Sequence, residues 1–242
     1  MNRPDGVVGK FLLAAAFAAL ATDAAAQAES DQAHGRVTFG TEIVATSHYI
    51  WRGFDEGEGM RVQPNVWLSV GGFQFSSWFD LAPRRQSGST FTENDLTAEY
   101  GRTFGAYELR GGWTGYFLPG DEDGGSQEVF VSAAREGIAS PSLSVYHDYR
   151  RGNGTYVNAA VEHAWPSLVR GIELSSRLGT GYNHHQWTTE RGFSDANLGL
   201  RATWRAAMDH IEISPFVNYS RSLDRDIGPS RVYGGVELAF YP

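Results

Sequence analysis

The sequence contains no cysteine, so neither a disulfide framework nor thiol chemistry is open to it. It contains a single lysine, Lys10, and beyond residue 26 every base is an arginine. Excess positive charge is also missing: the formal net charge is −8, which disfavours nucleic acid as a partner. A mean hydropathy of −0.35 is too low for a bundle of membrane helices, each of which needs about 20 consecutive apolar residues.

One apolar stretch does occur, at the N-terminus, in "KFLLAAAFAALATDAAAQA". Arg3 and Lys10 precede the apolar segment Phe11 to Ala21, and Ala24-Ala25-Ala26 offers a small-x-small cleavage site. Residues 1–26 are therefore expected to be a secretory signal peptide cut after Ala26. The cut removes Arg3 and Lys10 together with Asp5 and Asp23, so the charge stays at −8. Residues 27–242 are expected to form one domain. An exported chain of this length without disulfides must be stabilised by a large core or by a membrane.

What the chain does have is a period of two. In "RVTFGTEIVATSHYIW", Val37, Phe39, Ile43, Ala45, Tyr49 and Trp51 share one phase, and Thr38, Glu42, Thr46 and His48 share the other. Such alternation marks a strand with one apolar face. Val62, Val66 and Leu68 repeat the pattern, as do Phe73, Phe75 and Phe79 after Gly71-Gly72. Continued to Phe240, the pattern predicts twelve strands, an even number.

Their connections alternate as well. Tight turns are expected at Gly71-Gly72, 102–105, 137–141, 166–170 and 206–208. Longer polar connections are expected at "RGFDEGEG", "PRRQSGSTFT", "LPGDEDGG", "RRGNG", "HHQWTTERG" and "RSLDRDIGPS". Short periplasmic turns, long extracellular loops and an even strand number are the rules of outer-membrane barrels. Aromatic residues fall in the apolar phase near the strand ends, at Tyr49, Trp51, Trp113, Phe117, Tyr149, Trp165, Tyr182, Trp204 and Tyr219, where interfacial girdles sit. The expected fold is all-β: a transmembrane, antiparallel, up-and-down β-barrel of twelve strands. The competing fold, a soluble β-sandwich, also alternates, but could not easily hold charged residues opposite the apolar face on nearly every strand.

If the apolar phase meets lipid, the other phase lines the lumen. The pore-lining candidates are Glu42, Arg52, Arg61, Asp80, Glu99, Glu108, Arg110, Asp148, Arg150, Glu162, Glu173, Arg177, Arg201, Glu212 and Glu237. A midplane Arg facing lipid costs roughly 2–4 kcal/mol, so inward placement is expected on energy alone, and many of these residues should pair across strands and brace the barrel. Collectively, a wet lumen of mixed charge suits small polar solutes.

A lipid hydrolase on the outer surface is a weaker alternative. His147 and His163 fall in the lipid-facing phase, but Tyr149 and Trp165, not serines, stand two positions on. Neither His184-His185 nor the acidic run Asp121 to Asp123 has the spacing of a metal site. No catalytic residue, metal or cofactor is expected.

Two stretches resemble known membrane barrels. "VYGGVELAF" places Val232, Val236, Leu238 and Phe240 in one phase, similar to the aromatic-ended last strand of bacterial outer-membrane barrels, although Tyr241-Pro242 extend past it. "TSHYIWRGF" followed by "QPNVWLSVGGFQFSSWF" resembles the N-terminal hallmark of the TorF-type porins, a proteobacterial outer-membrane family of largely uncharacterised function. Ser47, Tyr49, Arg52, Gly53, Pro64, Gly72 and Trp78 take the family's places, and His48 stands where the family commonly has Asp. The resemblance covers the first three strands and implies location and fold more than a substrate.

The resulting expectation is an outer-membrane channel for passive diffusion of small polar solutes. Lipid and lipopolysaccharide would surround it, and the barrel assembly machinery would insert it. The alternatives are a non-conducting structural or surface-binding barrel and the lipid hydrolase. Arg52 is expected to pair with an acid across the barrel mouth.

Overall fold

A computed structural model describes residues 37–83, 90–120, 124–169, 171–206, 210–224 and 227–241. The expected signal peptide at 1–26 and the acidic run 121–123 lie outside these residues. Twelve strands follow in chain order. The first six are β1 (Val37–Trp51), β2 (Phe54–Val70), β3 (Phe73–Leu81), β4 (Phe91–Phe104), β5 (Tyr107–Phe117) and β6 (Ser126–Arg135). The second six are β7 (Pro141–Asp148), β8 (Gly154–Val169), β9 (Ile172–His184), β10 (Arg191–Ala206), β11 (Ile211–Ser222) and β12 (Arg231–Phe240). Each pairs antiparallel with its neighbours in sequence, and β1 pairs with β12 to close a barrel. The chain is thus the expected all-β up-and-down barrel, with no helix among the described residues.

The distribution of polarity is the reverse of a soluble protein's. Among the described residues, thirty polar or charged side chains are buried against eight apolar ones, while thirty-five large apolar side chains are exposed. Sequence alternation produces this directly. On β6, Val129 and Val131 are exposed while Glu128 between them and the strand's start is buried. On β12, Val232, Val236, Leu238 and Phe240 all face outward. An apolar surface this extensive, wrapped around a polar interior, suits lipid and not water. It removes the sandwich, whose apolar face would be buried.

The β1–β12 seam holds six residue pairs, from Thr41↔Phe240 to Thr46↔Gly235, whereas β1 and β2 make thirteen. Gly235 is required at the end of this seam, because a Cβ there would stand 2.0 Å from the carbonyl oxygen of Ala45.

Two expectations are corrected at the β1–β2 hairpin. "RGFDEGEG" is not a long loop: Arg52 and Gly53 alone make the turn, and Phe54 already begins β2. Tyr49 and Trp51 do not face lipid. Tyr49 packs 5.5 Å from buried Trp78, and Trp51 lies 5.9 Å from buried Tyr116. The cause is two register shifts, between Thr46 and His48 and between His48 and Ile50. Such irregularities break strict alternation and re-aim the side chains beyond them. The seven other aromatic residues expected at the interfaces are half-buried or exposed on the outer phase.

Candidate functional site: a polar lumen spanned by Arg52

The half of the barrel near the tight turns is braced by ion pairs on the inner face. Arg110 on β5 donates from Nη1 to Glu99 on β4 at 2.6 Å and from Nε to Glu108 at 2.7 Å. Arg201 on β10 makes a two-pronged contact with Glu237 on β12, at 3.1 and 3.0 Å, reaching past β11. Arg205 joins Glu173 on β9 and Glu212 on β11, at 3.1 and 3.0 Å. Arg177 donates to Asn158 at 3.1 Å.

Nearer the long connections, Asp80 collects three donors. These are Arg61 at 2.6 Å, Gln63 at 3.0 Å and the Thr92 hydroxyl at 2.5 Å. The Tyr156 hydroxyl donates to the Asp195 carboxylate at 3.1 Å, and Ser194 donates to the same oxygen at 2.7 Å. Ser126 donates to Asp148 at 2.7 Å. At the rim, Arg231 at the start of β12 holds Asp55 at the start of β2, at 2.7 Å.

The mouth itself is crossed by Arg52. The hairpin turn folds inward, and Arg52 Nη1 and Nη2 donate to the two carboxylate oxygens of Glu128 at 2.8 and 2.7 Å. Nη1 also donates to Gln186 Oε1 at 2.6 Å, and Gln186 Nε2 reaches back to Glu128 at 3.3 Å. The guanidinium lies 4.5, 4.1 and 5.1 Å from the ring centroids of Trp51, Tyr146 and Tyr156. Side-chain exposure of the pair is 1% for Arg52 and 2% for Glu128. Burial opposes the Arg52 charge, but the Glu128 carboxylate outweighs it and lifts the guanidinium pKa above its ordinary value. A planar guanidinium suits both tasks, forking onto a carboxylate and stacking on aromatic faces.

Backbone geometry makes room for this clasp. Arg52 (φ 51°), His185 (φ 63°) and Trp187 (φ 58°) are left-handed non-glycine residues flanking the two inserted segments. Such conformations persist only where surrounding contacts hold them. Gly53 (φ 87°) has no space for a side chain, since a Cβ would meet Asp195 Cβ at 2.9 Å. Gly154 admits the second insert: a Cβ there would stand 2.2 Å from the backbone nitrogen of Gln186.

Of the residues expected to line the lumen, Glu42, Arg52, Arg61, Asp80, Asp148, Glu162, Arg201, Glu212 and Glu237 are buried inside the barrel. Glu99, Glu108, Arg110, Glu173 and Arg177 are half-buried on the same inner phase. Arg150 is a correction. β7 ends at Asp148, so the alternation that implied an inward side chain has already stopped, and Arg150 is exposed. Alternation placed Glu128, Tyr146, Tyr156, Glu93, Asp95 and Arg205 on the inner phase too, and a strict count of phase on β4, β6, β7, β8 and β10 would have found them. Gln186 lies in a connection, where no periodicity exists to reveal it.

Of the two histidines weighed for hydrolysis, His147 is exposed and His163 half-buried on the outer phase. His147 Nδ1 lies 3.1 Å from the Thr155 hydroxyl, and His163 Nδ1 lies 2.5 Å from the Ile138 carbonyl oxygen. His184 and His185 stack edge to face at 4.6 Å, with His185 Nδ1 3.0 Å from the Thr189 carbonyl oxygen. No group of three metal-binding side chains occurs among the described residues.

Comparison with solved structures places the architecture. The barrel superposes on a structure described as the KdgM porin with a TM-score of 0.57 at 10% identity, covering 83% of this chain and 98% of the other. It superposes on the NanC porin with a TM-score of 0.52 at 7% identity, covering 83% and 98%. The chain has the fold of these porins. No family model matches it, and no curated protein matches its sequence, so the resemblance to the TorF-type porins rests on the residues quoted for it.

Proposed function

We propose that this chain is an outer-membrane, porin-like channel for passive diffusion of small polar solutes through a narrow lumen of mixed charge, related to the TorF-type porins. The observation that carries the reading is the inverted polarity: among the described residues thirty polar side chains are buried while thirty-five large apolar ones are exposed. A wall that only had to span lipid could fill its centre with apolar side chains, whereas polar groups facing inward lower the cost of passage for a polar solute. In this reading residues 1–26 direct export and the assembly machinery inserts the barrel. The tight turns face the periplasm, and the outer wall meets lipid and lipopolysaccharide. It assigns the chain no enzyme activity and no cofactor.

The Arg52–Glu128–Gln186 clasp favours a second reading, a barrel whose mouth is shut and which conducts nothing. Planar-bilayer recording separates the two. Stepwise conductance from purified, heat-modifiable protein supports the channel. Persistent absence of steps from protein that is folded by the same gel criterion overturns it in favour of the closed barrel.

A further inference from the structure

Inside the barrel the two signs of charge do not balance. Among the described residues nine buried carboxylates face three buried guanidinium groups. Each of those three is already held by an acid: Arg52 by Glu128, Arg61 by Asp80 and Arg201 by Glu237. The half-buried Arg110 and Arg205 are each flanked by two acids, and the half-buried Arg177 donates to Asn158. Guanidinium groups held in this way present little positive charge to a passing solute, and the surplus inside is acidic.

The surplus also reaches the mouth. A cavity of about 590 Å³ lies beside the β1–β2 hairpin, bounded among others by Tyr49, Glu56, Arg61, Asp80, Thr92 and Glu93. Arg61, paired to Asp80, is the single base among its described lining residues, and Glu56 and Glu93 remain as acids beyond that pair. Two residues along β4 from Glu93, and on the same inner phase, lies Asp95. It is 2% exposed, and its Oδ1 accepts no hydrogen bond among the described residues.

We propose that the channel selects cationic over anionic solutes, and that the cavity beside Tyr49 is its acidic vestibule, past which solute enters alongside the Arg52 clasp. This rests on the channel reading above. Fixed charge of one sign behind a low-dielectric wall concentrates counter-ions and repels co-ions. A ring of Asp and Glu side chains is a sufficient filter for cations. The cavity volume falls within the range of small-molecule sites, about 300–1,000 Å³, so the vestibule is wide enough for a small organic cation as well as a hydrated metal ion.

The test is the reversal potential of purified protein in a planar bilayer at about pH 9, where the vestibule carboxyls are ionised, under a potassium chloride gradient. Wild type is expected to pass K⁺ over Cl⁻ by a ratio above about 3 at 0.1 M salt. The ratio should fall toward unity at 1 M, where the screening length shrinks from about 10 Å to about 3 Å. The isosteric double variant Glu56→Gln with Glu93→Gln, checked for a heat-modifiable barrel, is expected to lower the ratio about twofold at 0.1 M. Conductance with a ratio at or below unity at low salt overturns the proposal and leaves the channel reading intact. A folded double variant with an unchanged ratio overturns the role of the vestibule. Absence of any conductance from folded protein overturns the channel reading, and this inference with it.

Discussion

Arg52 at the β1–β2 turn and Glu128 on β6 stand 76 positions apart in the chain and meet through two hydrogen bonds of 2.8 and 2.7 Å across the barrel mouth. The contact ties the β1–β2 turn to β6, so it stiffens the barrel and narrows the passage at the same place. Arg52→Ala should therefore do two things at once. Single-channel conductance should rise about twofold or more, and the folded barrel should lose roughly 3–5 kcal/mol, as when one partner of a buried pair is removed. Recording and urea unfolding in lipid vesicles check the two effects. A variant unchanged in both would show that the clasp neither braces nor constricts.

The pair's own contribution is separable from the cost of stranding its partner. In a double-mutant cycle of Arg52→Ala and Glu128→Ala, the coupling energy should be about 1–3 kcal/mol in size. Additive losses would mean that the aromatic rings around Arg52, and not Glu128, hold it in place.

Gly154→Ala tests the second insert without touching the ion pair. Its methyl group would occupy the position 2.2 Å from the Gln186 backbone nitrogen, so the β9–β10 connection must withdraw from the mouth. Conductance should rise, and tryptic cleavage at Arg191 should become faster than in wild type by about tenfold, as for a loop released from its contacts. Unchanged cleavage and conductance together would show that the segment tolerates the methyl group where it is.

The outer wall is tested at Val131, exposed and paired across β6 with Gly111 and Val145. Val131→Arg should destabilise the barrel in vesicles by about 2–4 kcal/mol, the cost of a cation facing the bilayer midplane. A change below about 0.5 kcal/mol, the range of ordinary surface substitutions, would place this face in water instead.

Much of the barrel was legible because its two environments are so different. Lipid and lumen impose opposite demands on neighbouring residues, and a strand obeys both by alternating. Strand number and the inner position of residues such as Glu42, Asp80 and Arg201 both follow from that. Legibility stops where alternation stops. Two register shifts near His48 turned Tyr49 and Trp51 inward, and the ladder that continued through Gly57 and Gly59 made strand out of what composition marks as loop. Arg150 was misplaced for the same reason, two residues beyond the last rung at Asp148. That Arg52 meets an acid across the mouth was foreseeable from its position. Which acid it meets was not, because partners across a barrel are set by closure and carry no periodic signature.

Closure has a consequence for how the chain must be made. The six pairs of the β1–β12 seam join residues nearly the whole described chain apart, such as Thr41 and Phe240. Contacts of such sequence separation form late and slowly, because the entropy of closing the loop is lost before any contact repays it. Until Arg231–Phe240 has paired, β1 carries an open edge, its carbonyl and amide groups offered to any passing strand. The nascent barrel is thus most vulnerable to aggregation just before its last strand arrives. A chain stopped after β11 is a sheet with two free edges, not a smaller pore.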